Sequence, residues 1–154
     1  MNKSTDENRR PLRRLPRAFS LKRQSLIRPL FDPRRDDVGT ITKGCVRIVY
    51  RQVPREAVPD DVPVLVGFAP GRIRKAVRRN RIKRLLREVY RVHQEALVDL
   101  FSDRDVTLTM MIVYRRKEDE DPPAGAGIRK DLPEALAELH GRLGETSVSR
   151  ERRV

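Results

Sequence analysis

The stretch Ala76-Val-Arg-Arg-Asn-Arg-Ile-Lys-Arg-Leu-Leu-Arg-Glu-Val-Tyr-Arg91 determines how this chain is expected to fold. Its apolar side chains recur at the spacing of an α-helix, and the pattern continues to residue 101. The predicted apolar face consists of Ile82, Leu85, Leu86, Val89, His93, Ala96, Leu97 and Leu100. The far side is a continuous polar stripe of Asn80, Arg84, Arg87 and Arg91. A helix over residues 76–101 with one apolar side needs a second layer against which to pack.

Three segments outside this helix have the composition of β-strands, rich in β-branched residues and alternating in polarity. The first covers residues 44–53, and the others cover residues 64–69 and 106–114. In the first strand, one face carries Val46, Ile48 and Tyr50, and the other carries Arg47, Val49 and Arg51. These strands are the predicted second layer.

Two further helices are predicted near the ends of the chain. One runs from about Leu21 to Phe31, with Ser25 as its cap, and Pro29 makes it short or kinked. The other begins at the capping residue Asp131 and has an apolar side of Leu132, Leu136, Leu139 and Leu143. Residues 117–130, which are first acidic and then rich in Gly and Pro, are predicted to be a flexible linker.

The predicted order is α-β-β-α-β-α, with one optional further strand before the long helix. This order indicates an α/β (α+β) two-layer sandwich, in which helices cover one face of a small sheet and the other face is open to a ligand. A length of 154 residues suits one domain. We expect a basic disordered arm over residues 1–18, a single domain over residues 19–144 and a disordered tail over residues 145–154.

The sequence offers no recognisable catalytic constellation. It lacks the signatures of zinc proteases, serine hydrolases and P-loop proteins. We expect the single cysteine, Cys45, to be a small buried residue, His93 to lie at the edge of the core and His140 to be on the surface. The acidic run over residues 118–121 is more typical of a solvated linker than of a cation site. We therefore predict no catalytic residue and no metal ligand in the protein.

Positive charge is concentrated in two blocks. Of the net +13, residues 1–35 hold +8, and the segment from Arg72 to Arg91 holds +9 with Glu88 as its only acid. A solvated helix face usually mixes signs at positions i and i+4, yet here only Arg84 has such a partner, Glu88. Because a polyanion would relieve the repulsion, the pattern predicts nucleic-acid binding. No run of about 18 apolar residues and no secretory signal is present, so we expect a cytoplasmic protein with no membrane partner.

The long helix resembles the protein component of bacterial ribonuclease P. The resemblance rests on seven polar positions that agree in identity and spacing: Arg79, Asn80, Arg81, Lys83, Arg84, Arg87 and Glu88. A weaker match covers residues 21–31, where Phe31 fits an aromatic position of the family. Tyr50 fits an aromatic position on the first strand, and Phe68 follows a strand glycine as in the family. The resemblance spans roughly residues 20–143.

The resemblance implies a left-handed βαβ crossover and two RNA-binding regions within residues 19–144. The predicted contacts with the catalytic RNA are Arg79, Asn80, Arg81, Lys83, Arg84, Arg87 and Arg91, with a contribution from Arg72, Arg74 and Lys75 whose division among the three is open. The predicted cleft for the 5′ leader of precursor tRNA consists of Lys22, Arg23, Ile27, Phe31, Tyr50 and Phe68, with the aromatic rings on an open sheet face. The sequence does not fit this family everywhere, since residues 69–75 form a loop about one residue shorter than usual.

The resemblance also implies the partners. The protein would be the non-catalytic subunit of an endonuclease that matures tRNA 5′ ends, with ribonuclease P RNA and precursor tRNA as partners and no obligate protein partner. The RNA would bind the Mg²⁺ ions that perform the hydrolysis. The alternative is a general RNA-binding or ribosome-associated module that is not part of an enzymatic complex.

Overall fold

A single four-stranded sheet organises the chain in the computed structural model, which describes residues 14–116 and 124–152. Its strands are β1 (Gly39–Lys43), β2 (Val46–Pro54), β3 (Val64–Ala69) and β4 (Val106–Tyr114), in the spatial order β1-β2-β4-β3. β2 pairs antiparallel with β1 and β4, whereas β3 pairs parallel with β4. The predicted bounds of β3 and β4 are confirmed. The optional further strand exists as β1, and Gly44 and Cys45, which we predicted to be part of a strand, form the turn between β1 and β2.

Within these described residues, four α-helices accompany the sheet: α1 (Gln24–Ile27), α2 (Ala76–His93), α3 (Glu95–Ser102) and α4 (Ala124–Arg152). One face of the sheet, which includes Ile48 and Met110, packs against buried side chains of α2, α3 and α4. This layer confirms the predicted two-layer α+β architecture. The chain passes from β3 through α2 and α3 to the parallel strand β4, and the left-handed sense of that crossover stays a prediction.

The predicted continuous helix over residues 76–101 is interrupted at Gln94. The Gln94 side chain is fully buried, and its Nε2 donates a hydrogen bond to the Arg14 carbonyl at 3.2 Å. Tyr90 is buried, whereas His93, the last residue of α2, is exposed and donates from Nδ1 to the Val89 carbonyl. The prediction of a core-edge His93 is therefore wrong. The break also ends the helical period before Ala96, which was predicted to lie on the apolar face and is exposed.

The last helix begins seven residues earlier than predicted. Residues 124–130, expected to belong to a flexible linker, form its first two turns and bury Ile128 in the core. Asp131 therefore lies inside α4 and does not cap it. Its Oδ2 accepts a hydrogen bond from the Cys45 backbone N–H at 3.0 Å. The carboxylate on α4 therefore supplies the acceptor for a buried donor in the β1–β2 turn. α4 also continues to Arg152, through a range where a tail was expected, and residues 117–123 lie outside the described part of the chain.

The opposite face of the sheet is partly covered rather than fully open. Leu21, Leu26 and Leu30, from the N-terminal segment, form a second buried cluster with strand residues that include Val49 and Met111. α1 continues into a 3₁₀ turn over Arg28–Phe31. Ser25 lies inside α1, and the preceding Arg23 occupies the cap position without a side-chain hydrogen bond. β2 and β4 carry apolar side chains on both of their faces, and those on this face form the second cluster.

We expect Asp131→Ala to lower the free energy of unfolding by about 1–3 kcal/mol, because it leaves the buried Cys45 N–H without an acceptor. Urea denaturation followed by circular dichroism measures the change. Asp131→Asn, which keeps an acceptor oxygen, should lose clearly less. Glu134→Ala, at an exposed site in the next turn of α4, should have almost no effect.

The Cys45 thiol provides a second test of this region. Burial, and then the neighbouring Asp131, raise its pKa to about 11, so the neutral thiol is favoured in the folded state. Its contribution to stability is complete below the unfolded pKa of about 8.5 and is lost as the pH rises from there to about 11. Since Cys45 is the only cysteine, an aromatic disulfide reagent at pH 8 should label the native protein about two orders of magnitude more slowly than the urea-unfolded protein. Equal rates would contradict the buried, protonated thiol.

Candidate nucleic-acid interface

The motif side chains of α2 form an exposed basic surface, which we define as Arg79, Asn80, Arg81, Lys83, Arg84 and Arg87. Arg91 extends it and is half-buried. Helix α2 is held by one buried stripe of Ile82, Leu86 and Tyr90, four residues apart. The predicted polar stripe therefore lies opposite the core, where its cations are available to a ligand.

The first turn of α2 projects beyond the core. No residue from Ala76 to Arg81 is buried, and the cap position, held by Lys75, makes no side-chain hydrogen bond to the helix. The first turn contains no acidic side chain. Cations at this end are disfavoured by the helix dipole, so the arrangement costs stability in the free protein and an incoming anion would reduce that cost.

The single carboxylate of α2 has a different partner from the one predicted. Glu88 bonds Arg91, three residues on, with Nε donating to Oε2 at 3.2 Å, and it does not pair with Arg84. The contact lowers the pKa of Glu88 and raises that of Arg91. Glu88 therefore offsets charge at the C-terminal end of the helix and leaves the charge of the first turns uncompensated.

Arg87 is positioned by an aromatic pair. Its guanidinium lies 5.8 Å from the centroid of the Phe68 ring, and Phe68 meets Tyr90 edge-on with centroids 5.8 Å apart. Burial raises the pKa of Tyr90, which keeps its hydroxyl neutral. Phe68 therefore packs between the buried Tyr90 and the guanidinium of Arg87 on the basic surface.

The loop between β3 and α2 presents three further cations. Gly71 adopts φ +71°, and a Cβ there would lie 2.1 Å from the Tyr114 carbonyl oxygen, so the close approach requires glycine. Two residues later Ile73 is buried and anchors the loop. The predicted Arg72, Arg74 and Lys75 are all exposed around this anchor, next to the first turn of α2.

The opposite face of the sheet presents part of the predicted leader cleft. Ile27 is half-buried against the second cluster, and Phe31 is 52% exposed at the end of the 3₁₀ turn. Lys22 and Arg23 are exposed just before α1. These four predicted residues thus lie on one segment of the chain.

Tyr50 and Phe68 do not join them. Both lie on the face that packs against the helices, Tyr50 buried within the main core and Phe68 partly buried against it. The Tyr50 hydroxyl accepts a hydrogen bond from Arg142 Nη1 at 3.0 Å. The prediction that Phe31, Tyr50 and Phe68 form one open stacking face is therefore wrong. Alternation correctly placed Tyr50 beside Ile48, but it does not indicate which face the helices cover.

Sequence reasoning missed two cations on the cleft side of the sheet, Arg47 and Arg51. Arg47 is exposed and stands opposite Val113 on β4. Arg51 is held by Asp37, with its Nε donating to Oδ2 at 2.8 Å, and Asp37 also accepts from Arg35 Nε at 2.9 Å. These bonds lower the pKa of Asp37 well below its usual range. The signal was present, because Arg47, Val49 and Arg51 had been placed on one face.

Within residues 14–116 and 124–152, no group of three or more His, Cys, Asp or Glu side chains is arranged to hold a metal ion. The same part of the chain contains no helix that is both long and apolar enough to cross a membrane.

Comparisons of the sequence with a family model and with known proteins point to the same family. The family model described as Ribonuclease P matches residues 15–139. The chain is similar to the ribonuclease P protein component of Porphyromonas gingivalis, with 30% identity over 126 residues that cover 76% of this chain and 88% of the relative. It is also similar to the ribonuclease P protein component of Chlorobaculum tepidum, with 31% identity over 115 residues, 70% of this chain and 71% of the relative.

A solved structure shares the fold. The ribonuclease P protein of Staphylococcus aureus superposes with a TM-score of 0.52 over 79% of this chain and 94% of that one, at 16% identity. At that identity the likeness supports the arrangement of sheet and helices, and the sequence matches support the family.

Proposed function

Because the chain belongs to the ribonuclease P protein family, we propose that its basic surface docks on the catalytic RNA of a cytoplasmic ribonuclease P. The protein is the RNA-binding subunit of this tRNA-processing ribonucleoprotein. The docking residues are those of the basic surface, with Arg91, Arg72, Arg74 and Lys75 at its ends.

The observation that carries this proposal is the charge of α2. Its segment from Ala76 to Arg91 holds seven cations and one carboxylate, and that carboxylate is engaged with Arg91. Guanidinium groups pair with phosphate through two parallel hydrogen bonds. Each phosphate that is neutralised releases condensed counterions, so binding is strong at low salt and weakens as salt rises.

The protein contributes binding and charge neutralisation to the reaction, and the RNA contributes the catalytic metal. Mg²⁺ bound by the RNA would activate the attacking water molecule and stabilise the charge that develops during phosphodiester hydrolysis. The cations of α2 reduce repulsion between RNA segments that must approach each other. The Mg²⁺ concentration needed for cleavage is therefore lower with the protein than without it.

The second RNA-binding region is the cleft on the opposite face of the sheet. Lys22 and Arg23 would contact phosphates of the single-stranded 5′ leader of precursor tRNA, and Phe31 offers an exposed ring for a base. Arg47 adds an exposed cation on the same side of the sheet, and Arg51, which is ion-paired with Asp37, lies beside it. This assignment replaces Tyr50 and Phe68, which face the helices, with two arginines of β2.

We expect the triple change Arg79→Ala, Arg81→Ala and Arg84→Ala to weaken binding to the cognate RNA and to reduce the magnitude of the salt slope by roughly 2–3, because about one counterion is released per lost contact. Filter binding across a salt series measures both quantities. The matched Arg-to-Lys triple keeps the charge, so it should retain most of the slope while losing bidentate contacts.

Cleavage of precursor tRNA by the reconstituted complex separates an enzymatic subunit from a general RNA-binding module. At low Mg²⁺ the alanine triple should cleave much more slowly than the unaltered protein, and high Mg²⁺ should restore most of the rate. Unchanged cleavage at low Mg²⁺, or RNA affinity that does not depend on salt, would contradict the proposal.

We expect Phe31→Ala to weaken binding of precursor tRNA to the reconstituted complex by about 1–3 kcal/mol, the usual contribution of one base–aromatic stack. Binding of mature tRNA, which has no leader, should not change. Because the ring is more than half exposed, the fold should tolerate the change. Val92→Ala, at a similarly exposed apolar site on α2, is the control and should leave leader binding intact.

A further inference from the structure

A pocket of about 320 Å³ lies where the start of α4 meets the first turns of α2. Its floor is apolar and consists of Ile82 and Leu85, and Val77 lies at its mouth. Ala124 and Gly125, from the first turn of α4, form the opposite wall. The volume is at the lower end of the range for small-ligand sites, which begins at about 300 Å³.

The rim of this pocket carries three cations. Lys75, Arg78 and Arg81 line it and are all exposed, and no acidic side chain lines it among residues 14–116 and 124–152. Val77, at the mouth of the pocket, is 84% exposed, the largest value among the exposed large apolar side chains of the described chain. A ligand that is apolar on its faces and anionic at its edges would cover this valine and pair with the cations around it.

An unstacked nucleotide has this chemistry. A nucleobase has flat apolar faces, and the phosphates on either side of its ribose are anionic. Recognition of RNA commonly uses bases that are turned out of the helix and placed against apolar side chains or guanidinium planes. A helical RNA segment keeps its bases stacked and paired, so it would offer phosphates and riboses to the rim but no base face to the floor.

We propose that this pocket binds one unstacked nucleotide of the RNA that docks on α2, with the base against Val77 and Leu85 and its flanking phosphates against Lys75, Arg78 and Arg81. The proposal rests on the proposed docking of α2. It adds a site that recognises a base to a surface that otherwise contacts phosphates, and it assigns a binding role to Arg78 and Gly125.

Gly125 allows the pocket to be filled without any change of charge. A Cβ on Gly125 would lie 4.0 Å from Leu85 Cδ1 and 3.1 Å from Arg129 Nη1, the mobile end of a flexible side chain. Gly125→Leu should therefore occupy the pocket. Gly141, on the same helix, has nothing within 4 Å of its Cβ position, so Gly141→Leu is a matched control. Neither change should harm the helix, because both replace glycine with a better helix former.

We expect Gly125→Leu to weaken binding of the cognate RNA about tenfold, and the salt slope to stay the same because no cation is lost. Gly141→Leu should bind like the unaltered protein. Equal affinity of the two variants would overturn the pocket assignment. The alanine triple of α2 tests the docking itself. If the triple loses affinity while Gly125→Leu does not, the docking proposal is supported and the pocket proposal is wrong. If neither variant loses affinity, both proposals are wrong.

Methyl NMR of the full chain tests occupancy directly. Adenosine 3′,5′-bisphosphate should shift the methyl signals of Val77, Ile82 and Leu85 in a saturable way, because the ring current of a base acts only at short range. Gly125→Leu should abolish these shifts, and inorganic phosphate should not produce them. Equal shifts with inorganic phosphate would reduce the site to an anion site. A second control changes the four acids of residues 118–121 to amides in the absence of nucleotide. If this change alone shifts the same methyl signals, the pocket is occupied by the chain's own acidic run. That result, or equal shifts with inorganic phosphate, would overturn the proposal.

Discussion

The burial of Ile82, Leu86 and Tyr90 is the interaction on which the rest of this structure depends. Helix α2 carries like charges along most of its surface and has cations at the end where the dipole disfavours them. That repulsion opposes folding of the helix, and the burial of one narrow stripe against the sheet and α4 must outweigh it. All three side chains are almost completely buried, which is the condition for the opposite side to consist almost entirely of polar groups.

The same stripe explains why the main core draws on distant parts of the chain. Tyr90 supports Phe68, and Phe68 in turn lies under Arg87, so the end of β3 and a cation of the basic surface are linked through two rings. From the other end of the core, Asp131 on α4 holds the turn before β2 through the Cys45 N–H. The basic surface is therefore held in place by tertiary contacts from distant parts of the chain.

The sequence predicted the parts of the fold that depend on local periodicity. β3 and β4 were predicted with correct bounds, and the polar side chains of the basic surface were predicted to lie opposite the apolar face of α2, because alternation and the helical period directly report which residues share a face. The predictions were wrong where a contact with a residue far away in the sequence determines the local structure. Gln94 interrupts the long helix while its side chain bonds the Arg14 carbonyl, and Asp131 looks like a cap from its neighbours but serves a turn 86 residues away.

The assignment of the sheet faces shows the same limit at the candidate site. The pattern placed Tyr50 with Ile48 and Arg47 with Arg51, and both groupings are confirmed. Which grouping meets the helices depends on the path of the whole chain, so the aromatic residue was assigned to the cleft and the arginines were overlooked. The basic surface had no such ambiguity, because an amphipathic helix has only one side that can be buried.

The path of the N-terminal segment has a consequence for how the molecule behaves at high concentration. From Arg14 beside Gln94, the chain crosses the outer edge of β3, where Ser20 bridges Val66 and the Leu21 N–H donates to the Val66 carbonyl at 2.9 Å. An unpaired strand edge is a template for another copy of the same chain. Beyond Val66 only three residues of β3 remain, fewer than the five or six of an ordinary strand. The segment that leads into α1 therefore also protects this edge of the sheet against strand-by-strand self-association.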